Sequence, residues 1–151
     1  MKSSLLINQL DEKISGFAPA MKNSLPAKGW VNAIRMALGM TLEQLGNKLS
    51  MTKQAAYQME LREAEGSITI KSLKLVAESM EMDFVYGFVP KSGTLENYID
   101  SKAEEMAKRI VERTSVSMGL ENQLNRPDRI QKAILEKKEE IKRLMPKSLW
   151  D

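Results

Sequence analysis

Residues 41–60, TLEQLGNKLSMTKQAAYQME, decide how this chain folds. Thr41 is a good helix N-cap, and Leu42, Leu45 and Leu49 follow at spacings that put their side chains on one helical face. Ser50 and Met51 break the pattern, and Thr52 can cap a second helix. In that helix Ala55, Ala56 and Met59 point one way, while Lys53, Gln54, Tyr57 and Gln58 point the other. Two short helices meeting at a tight turn are a helix-turn-helix, and the outward set suits a base-reading helix. Gln can make bidentate hydrogen bonds to adenine, Lys can reach guanine or a phosphate, and a Tyr hydroxyl can donate to a phosphate oxygen. Thr52 and, from the preceding helix, Gln44 complete the expected DNA-facing group.

Working outward, Trp30, Ile34 and Leu38 predict a preceding helix over about 30–38 with those residues inward and Gly39 as its stop. After the motif, LREAEGSI is a polar loop in which Arg62 is the obvious phosphate ligand, opposed by Glu63 and Glu65. Thr69 caps a fourth helix with Ile70, Leu73, Val76, Ala77 and Met80 inward. FVYGFV at 84–89 is aromatic and β-branched, bounded by Asp83 and Pro90, and predicts a short β-strand, its mate supplied by a second subunit; the alternative is a buried extended segment.

The motif carries a resemblance to the lambda-repressor type of helix-turn-helix protein, in which Leu45, Gly46, Leu49, Met51, Thr52, Ala56, Met59 and Glu60 match the pattern. The resemblance implies that Arg35 pairs with Glu60, the residue that closes the recognition helix. GWVNAIRMALGMTLEQLG before the motif, GSITIKSLKLVAESMEMDFVYGFVP after it and the final LWD resemble a narrower group, mobile mystery protein A, over roughly residues 28 to 151. Membership would imply a DNA-binding protein encoded beside a Fic-domain partner, in the manner of an antitoxin and toxin. Fic inhibition in that setting uses Ser or Thr, three residues, then Glu followed by Gly or Asn, the Glu pairing with an Arg that otherwise holds a nucleotide γ-phosphate. Ser117, Glu121 and Asn122 fit this pattern; so do Ser92, Glu96 and Asn97, where a plain helix start is the simpler reading.

Composition bounds these readings. The 151 residues, 42% hydrophobic and 28% charged, suit a soluble globular protein. No apolar run approaches a membrane span, Asp11 and Glu12 come too early for a secretory signal, and the cytoplasm is the expected location. With no Cys and no His, the chain lacks disulfides, the usual metal ligands and the usual general base, so neither an enzyme nor a cofactor is expected. The net charge is +3, and Lys28 through Lys74 hold seven Lys or Arg against four Glu, so the positive charge concentrates at the motif.

The expected organisation is mainly α: a lambda-repressor-like helix-turn-helix domain at 28–90 including the strand at 84–89, an N-terminal amphipathic helix and linker at 1–27, and a helical extension at 91–151. The N-terminal helix has Leu6, Leu10, Ile14 and Phe17 on one stripe, suited to packing or dimer contact. The extension has Leu95, Ile99, Ala103, Met106 and Ile110 on one stripe and Ile130, Ile134, Ile141 and Leu144 on another, after Pro127. The expected partners are double-stranded DNA, a second copy of the chain, and a Fic-domain protein.

Overall fold

In the computed structural model, which describes residues 2–118 and 127–151, the chain is mainly helical. The helices are α1 (Lys2–Ser15), α2 (Trp30–Ala37), α3 (Leu42–Lys48), α4 (Lys53–Glu65), α5 (Ile70–Ser79), α6 (Leu95–Met118) and α7 (Pro127–Leu144), with 3-10 turns at Ala18–Lys22 and Lys147–Trp150. None of these is long and apolar enough to cross a membrane.

One compact unit spans Pro19–Gly87. Its helices are joined by links that repeat one device. Each of α2, α3 and α4 is followed by a residue with positive φ: Gly39 at 65°, Ser50 at 54° and Gly66 at 82°. That turn lets the next amides fold back onto the last helical carbonyls, as in Met40 N–H to Arg35 O (3.0 Å), Met51 N–H to Gly46 O (2.9 Å) and Ser67 N–H to Arg62 O (2.8 Å). A hydrophobic residue comes next, Met40, Met51 or Ile68, and packs against the core. A threonine then opens the following helix, Thr41, Thr52 and Thr69 each accepting an N–H from three residues on at 3.1 Å. The link therefore closes one helix, anchors itself by an apolar side chain and starts the next helix. The core it encloses is Val31, Leu45, Ala56, Met59, Val76 and Met80. Leu45 and Val76 are fully buried, and a side chain of that size contributes about 1.5–3 kcal/mol when it leaves water.

Three sequence expectations need correction between residues 30 and 90. The inward face of α2 is Val31, Ile34 and Arg35, whereas Trp30 and Leu38 are exposed, because an ion pair takes up the inward position one turn after Val31. On α5, Ile70 is likewise outside while Leu73, Val76 and Met80 face the core. The expected strand at 84–89 is absent: residues 82–90 are without regular structure. The described residues supply no second strand, and a ladder needs one. Phe84 and Tyr86 stack with ring centroids 5.9 Å apart, the Lys74 ammonium lies 5.9 Å from the Tyr86 ring, and Val85 and Phe88 are exposed.

The other unit combines Met1–Ala18 with Phe88–Asp151, so α1 groups with the C-terminal helices instead of forming a separate N-terminal segment. Ala103 and Ala107, one turn apart on α6, are fully buried and let α7 approach closely through Ile134 and Ile141; Leu149 completes this second core. Leu144 is exposed, and Met145 and Leu149 take the place expected for it because the chain turns at Met145, where φ is 46°. Asp11 of α1 accepts the first amides of α6, Leu95 N–H at 2.7 Å and Glu96 N–H at 3.2 Å. Ile14 and Phe17 of α1 are half-buried, but Leu6 and Leu10 remain exposed.

Candidate nucleic-acid interface

The turn between α3 and α4 is tight because α3 carries no side chain where the turn crosses it. A Cβ on Gly46 would lie 2.7 Å from the Met51 carbonyl oxygen and 3.1 Å from that of Thr52, so any larger residue would push the two helices apart. This close crossing, with the Thr52 cap, fixes how α4 rotates about its own axis. The result is a two-sided helix. Ala56, Met59, Glu60 and Glu63 are buried. Lys53, Gln54, Tyr57 and Gln58 are exposed together, and Arg62 is exposed beyond them.

Electrostatics sharpen this division. Of the glutamates on α4, Glu60 and Glu63 turn inward and are engaged. The Arg35 Nε and Nη2 both donate to Glu60, the second at 3.3 Å, and Asn32 Nδ2 donates to it at 2.9 Å; Arg35 Nη1 donates to the Met40 carbonyl at 2.9 Å. Breaking such a buried pair by removing one partner costs about 3–5 kcal/mol, because the other charge is left without compensation. Glu63 accepts Trp30 N–H at 3.0 Å and Val31 N–H at 2.8 Å, capping the positive end of α2. It therefore does not oppose a phosphate at Arg62, contrary to the sequence expectation; Glu65 remains exposed. With those acids sequestered, the outward side of α4 from Lys53 to Gln58 presents a cation, amides and a phenol.

Thr52 and Gln44 are partly committed to the backbone. The Thr52 hydroxyl oxygen accepts Ala55 N–H, which leaves its proton to donate elsewhere. Gln44 accepts Thr41 N–H at 2.8 Å through its Oε1 and closes a reciprocal capping box, leaving its amide NH2 as the donor. Sequence reasoning missed Glu63 and Asn32. The signal for Asn32 is its position one turn before Arg35 on the same face; the signal for Glu63 is Gly29, an N-cap residue with no side chain to cap with, whose φ of 87° and lack of Cβ make room for the Glu63 carboxylate.

No protein-family model, curated protein or solved structure matches this chain.

The residues expected for Fic inhibition are divided. Ser92, Glu96 and Asn97 form the start of α6: Asn97 N–H bonds to the Thr94 hydroxyl at 3.0 Å, Asn97 Nδ2 to the Ser92 carbonyl at 3.0 Å, and Glu96 lies 3.3 Å from the Lys142 ammonium. Ser117 falls in the last turn of α6, whereas Glu121 and Asn122 lie outside the described residues. Among the described residues no group of three or more His, Cys, Asp or Glu could hold a metal ion.

Proposed function

We propose that the chain is a sequence-specific DNA-binding regulator of the lambda-repressor-like type, with α4 entering the major groove. The observation that carries this reading is the sidedness of α4, whose exposed face collects Lys53, Gln54, Tyr57 and Gln58 while its acids at 60 and 63 are turned into the domain, Glu60 paired with Arg35 and Glu63 on the first amides of α2. A face of donors and acceptors free of acidic groups can approach phosphates and read base edges at once. One such helix covers few base pairs, so useful specificity calls for two half-sites about one helical turn apart and a twofold dimer. Together with the family resemblance, this supports reading the protein as an autorepressor of an antitoxin-type operon acting in the cytoplasm.

Selection of bound sites from random duplex DNA tests the reading. A palindromic site should emerge, and Gln54→Ala or Gln58→Ala should cost about 1–3 kcal/mol at one base-pair position and relax preference there. Lys53→Ala should weaken all sequences and lower the salt dependence. A selected site whose affinity ignores Gln54, Tyr57 and Gln58 together would refute the assignment.

The alternative reading is an antitoxin that inhibits a Fic-domain enzyme by contact. It draws support from the separate core of α6 and α7, which is more than a DNA-binding domain requires. Its candidate carboxylate is Glu121, since Glu96 is already engaged by Lys142.

A further inference from the structure

A cavity of about 510 Å3 opens in the unit spanning 19–87, on residues that the DNA-facing side of α4 does not use. It is enclosed by the start of α2, the end of α4, the length of α5 and the unstructured segment after it, with Ile34 and Val76 toward the core and Trp30 and Phe84 among its lining aromatics. Its size falls within the usual range for small-molecule sites, roughly 300–1,000 Å3, and such sites join an apolar wall to a few polar groups. The ionisable residues lining it are Glu63 and Asp83; no Lys or Arg lines it. This is notable in a chain of net charge +3 whose basic residues concentrate in the same domain.

We propose that this cavity is a binding site for an amphipathic organic cation. The sign follows from the lining. An anion would meet two carboxylates with no counter-charge, and a neutral apolar ligand would strip water from them without replacing its hydrogen bonds. An amine or onium centre carried on an apolar body satisfies both parts, since the carboxylates and the aromatic rings attract its positive charge while the apolar wall covers the body. Glu63 has capacity for this. Each of its oxygens accepts one backbone N–H, at 3.0 and 2.8 Å, and a carboxylate offers about four acceptor positions. Asp83 is exposed in the segment after α5 and has no ion pair among the described residues. Because Glu63 belongs to α4 and also caps α2, a cation bound at its spare positions would bear on the contact that orients the two helices. That coupling to DNA affinity rests on the proposed function, whereas occupancy of the cavity does not.

The test uses Trp150→Phe, which preserves the ring stacked on Tyr98 and leaves Trp30 as the sole tryptophan. Its emission is followed on titration, without DNA, by tetraphenylphosphonium and by tetraphenylborate, ions of the same shape and opposite charge. A site-free protein of this net charge would favour the borate. The expected result is saturable binding of the phosphonium at least about tenfold tighter than the borate, a difference of roughly 1.4 kcal/mol. Asp83→Lys, at an exposed position, should weaken the phosphonium by at least about tenfold through like-charge repulsion. Ala77→Phe, which fills the cavity, should abolish binding in a protein that still melts cooperatively. Equal or tighter borate binding, no saturation below millimolar phosphonium, or indifference to Asp83→Lys would each overturn the proposal. Loss of DNA binding with the phosphonium site intact would refute the functional reading alone.

Discussion

Removing the Glu63 carboxylate should destabilise the unit that carries α4, and the amount can be worked from its two contacts. Glu63→Ala leaves Trp30 N–H and Val31 N–H without their acceptor. Hydrogen bonds to a charged group contribute about 1.5–3 kcal/mol each, and a negative charge at a helix N-terminus adds about 0.3–2 kcal/mol that overlaps with them. Val31 is buried, so its amide would bear the full penalty; Trp30 is half-exposed, and water can replace most of what its amide loses. The expected loss is about 2–4 kcal/mol, a large share of the roughly 5–15 kcal/mol of a typical domain. Glu63→Gln keeps one oxygen and loses the charge, and should cost about 1–2 kcal/mol. Urea unfolding read by Trp30 fluorescence in the Trp150→Phe background reports on this unit separately from the other. A loss below about 1 kcal/mol for Glu63→Ala, or equal losses for Ala and Gln, would refute the capping argument.

Other outcomes follow from the same geometry. Gly46→Ala should destabilise by about 1–3 kcal/mol in spite of alanine's better helix propensity, because its Cβ meets the Met51 carbonyl, and thermal melts will show a gain instead if the turn can yield. Ser50→Gly should raise stability by up to about 1 kcal/mol, because relief of about 1–2 kcal/mol of left-handed strain at φ 54° outweighs the about 0.4–1 kcal/mol that glycine's unfolded-state freedom costs; a lower melting temperature would contradict this. Lys142, with Lys138 adding to it, holds the Asp100 carboxyl below its ordinary value of 3.8, and Asp100 followed by Glu96 raises the Lys142 ammonium above 10.5. The Asp100 contribution to stability is therefore complete above pH 3.8 and lost as pH falls through the lowered value, whereas that of Lys142 is complete below pH 10.5 and lost as pH rises through the raised one. Asp100→Asn should flatten both limbs of the stability profile; acid and alkaline midpoints equal to those of the unmodified protein would argue against the pair. On the antitoxin reading, Glu121→Gly should release nucleotide transfer by a purified Fic-domain partner and Glu96→Gly should not; failure to form any complex would refute that reading.

What was legible in the sequence was local. Thr41, Thr52 and Thr69 announce helix starts because a cap acts within three residues, and the spacing of Leu45, Ala56, Met59 and Val76 gives the core of their domain. Misreadings arose where the deciding partner is remote. Trp30 and Leu38 match a helical stripe, but Arg35 takes the inward position because Glu60 waits on another helix. Glu63 looks like a surface acid until Gly29, far away in the chain, is seen to need its carboxylate. FVYGFV has strand composition, yet composition cannot supply the neighbouring edge. The placement of α1 was invisible for the same reason, since its contact with the amides of 95 and 96 through Asp11 spans most of the chain.

That last contact sets an order of events during synthesis. Asp11 and Leu95 are 84 residues apart, and at roughly 5–20 residues per second α1 must wait about 4–17 s before the helix it caps has been made. Throughout that interval Ile7, Ile14 and Phe17, which are half-buried in the folded unit, lack their native neighbours, while residues 19–87 can already complete their own core. The nascent chain would thus carry a finished helical domain and a sticky leading helix at the same time. Chaperone capture of α1 should accordingly peak on chains arrested before residue 95 and decline once α6 has emerged.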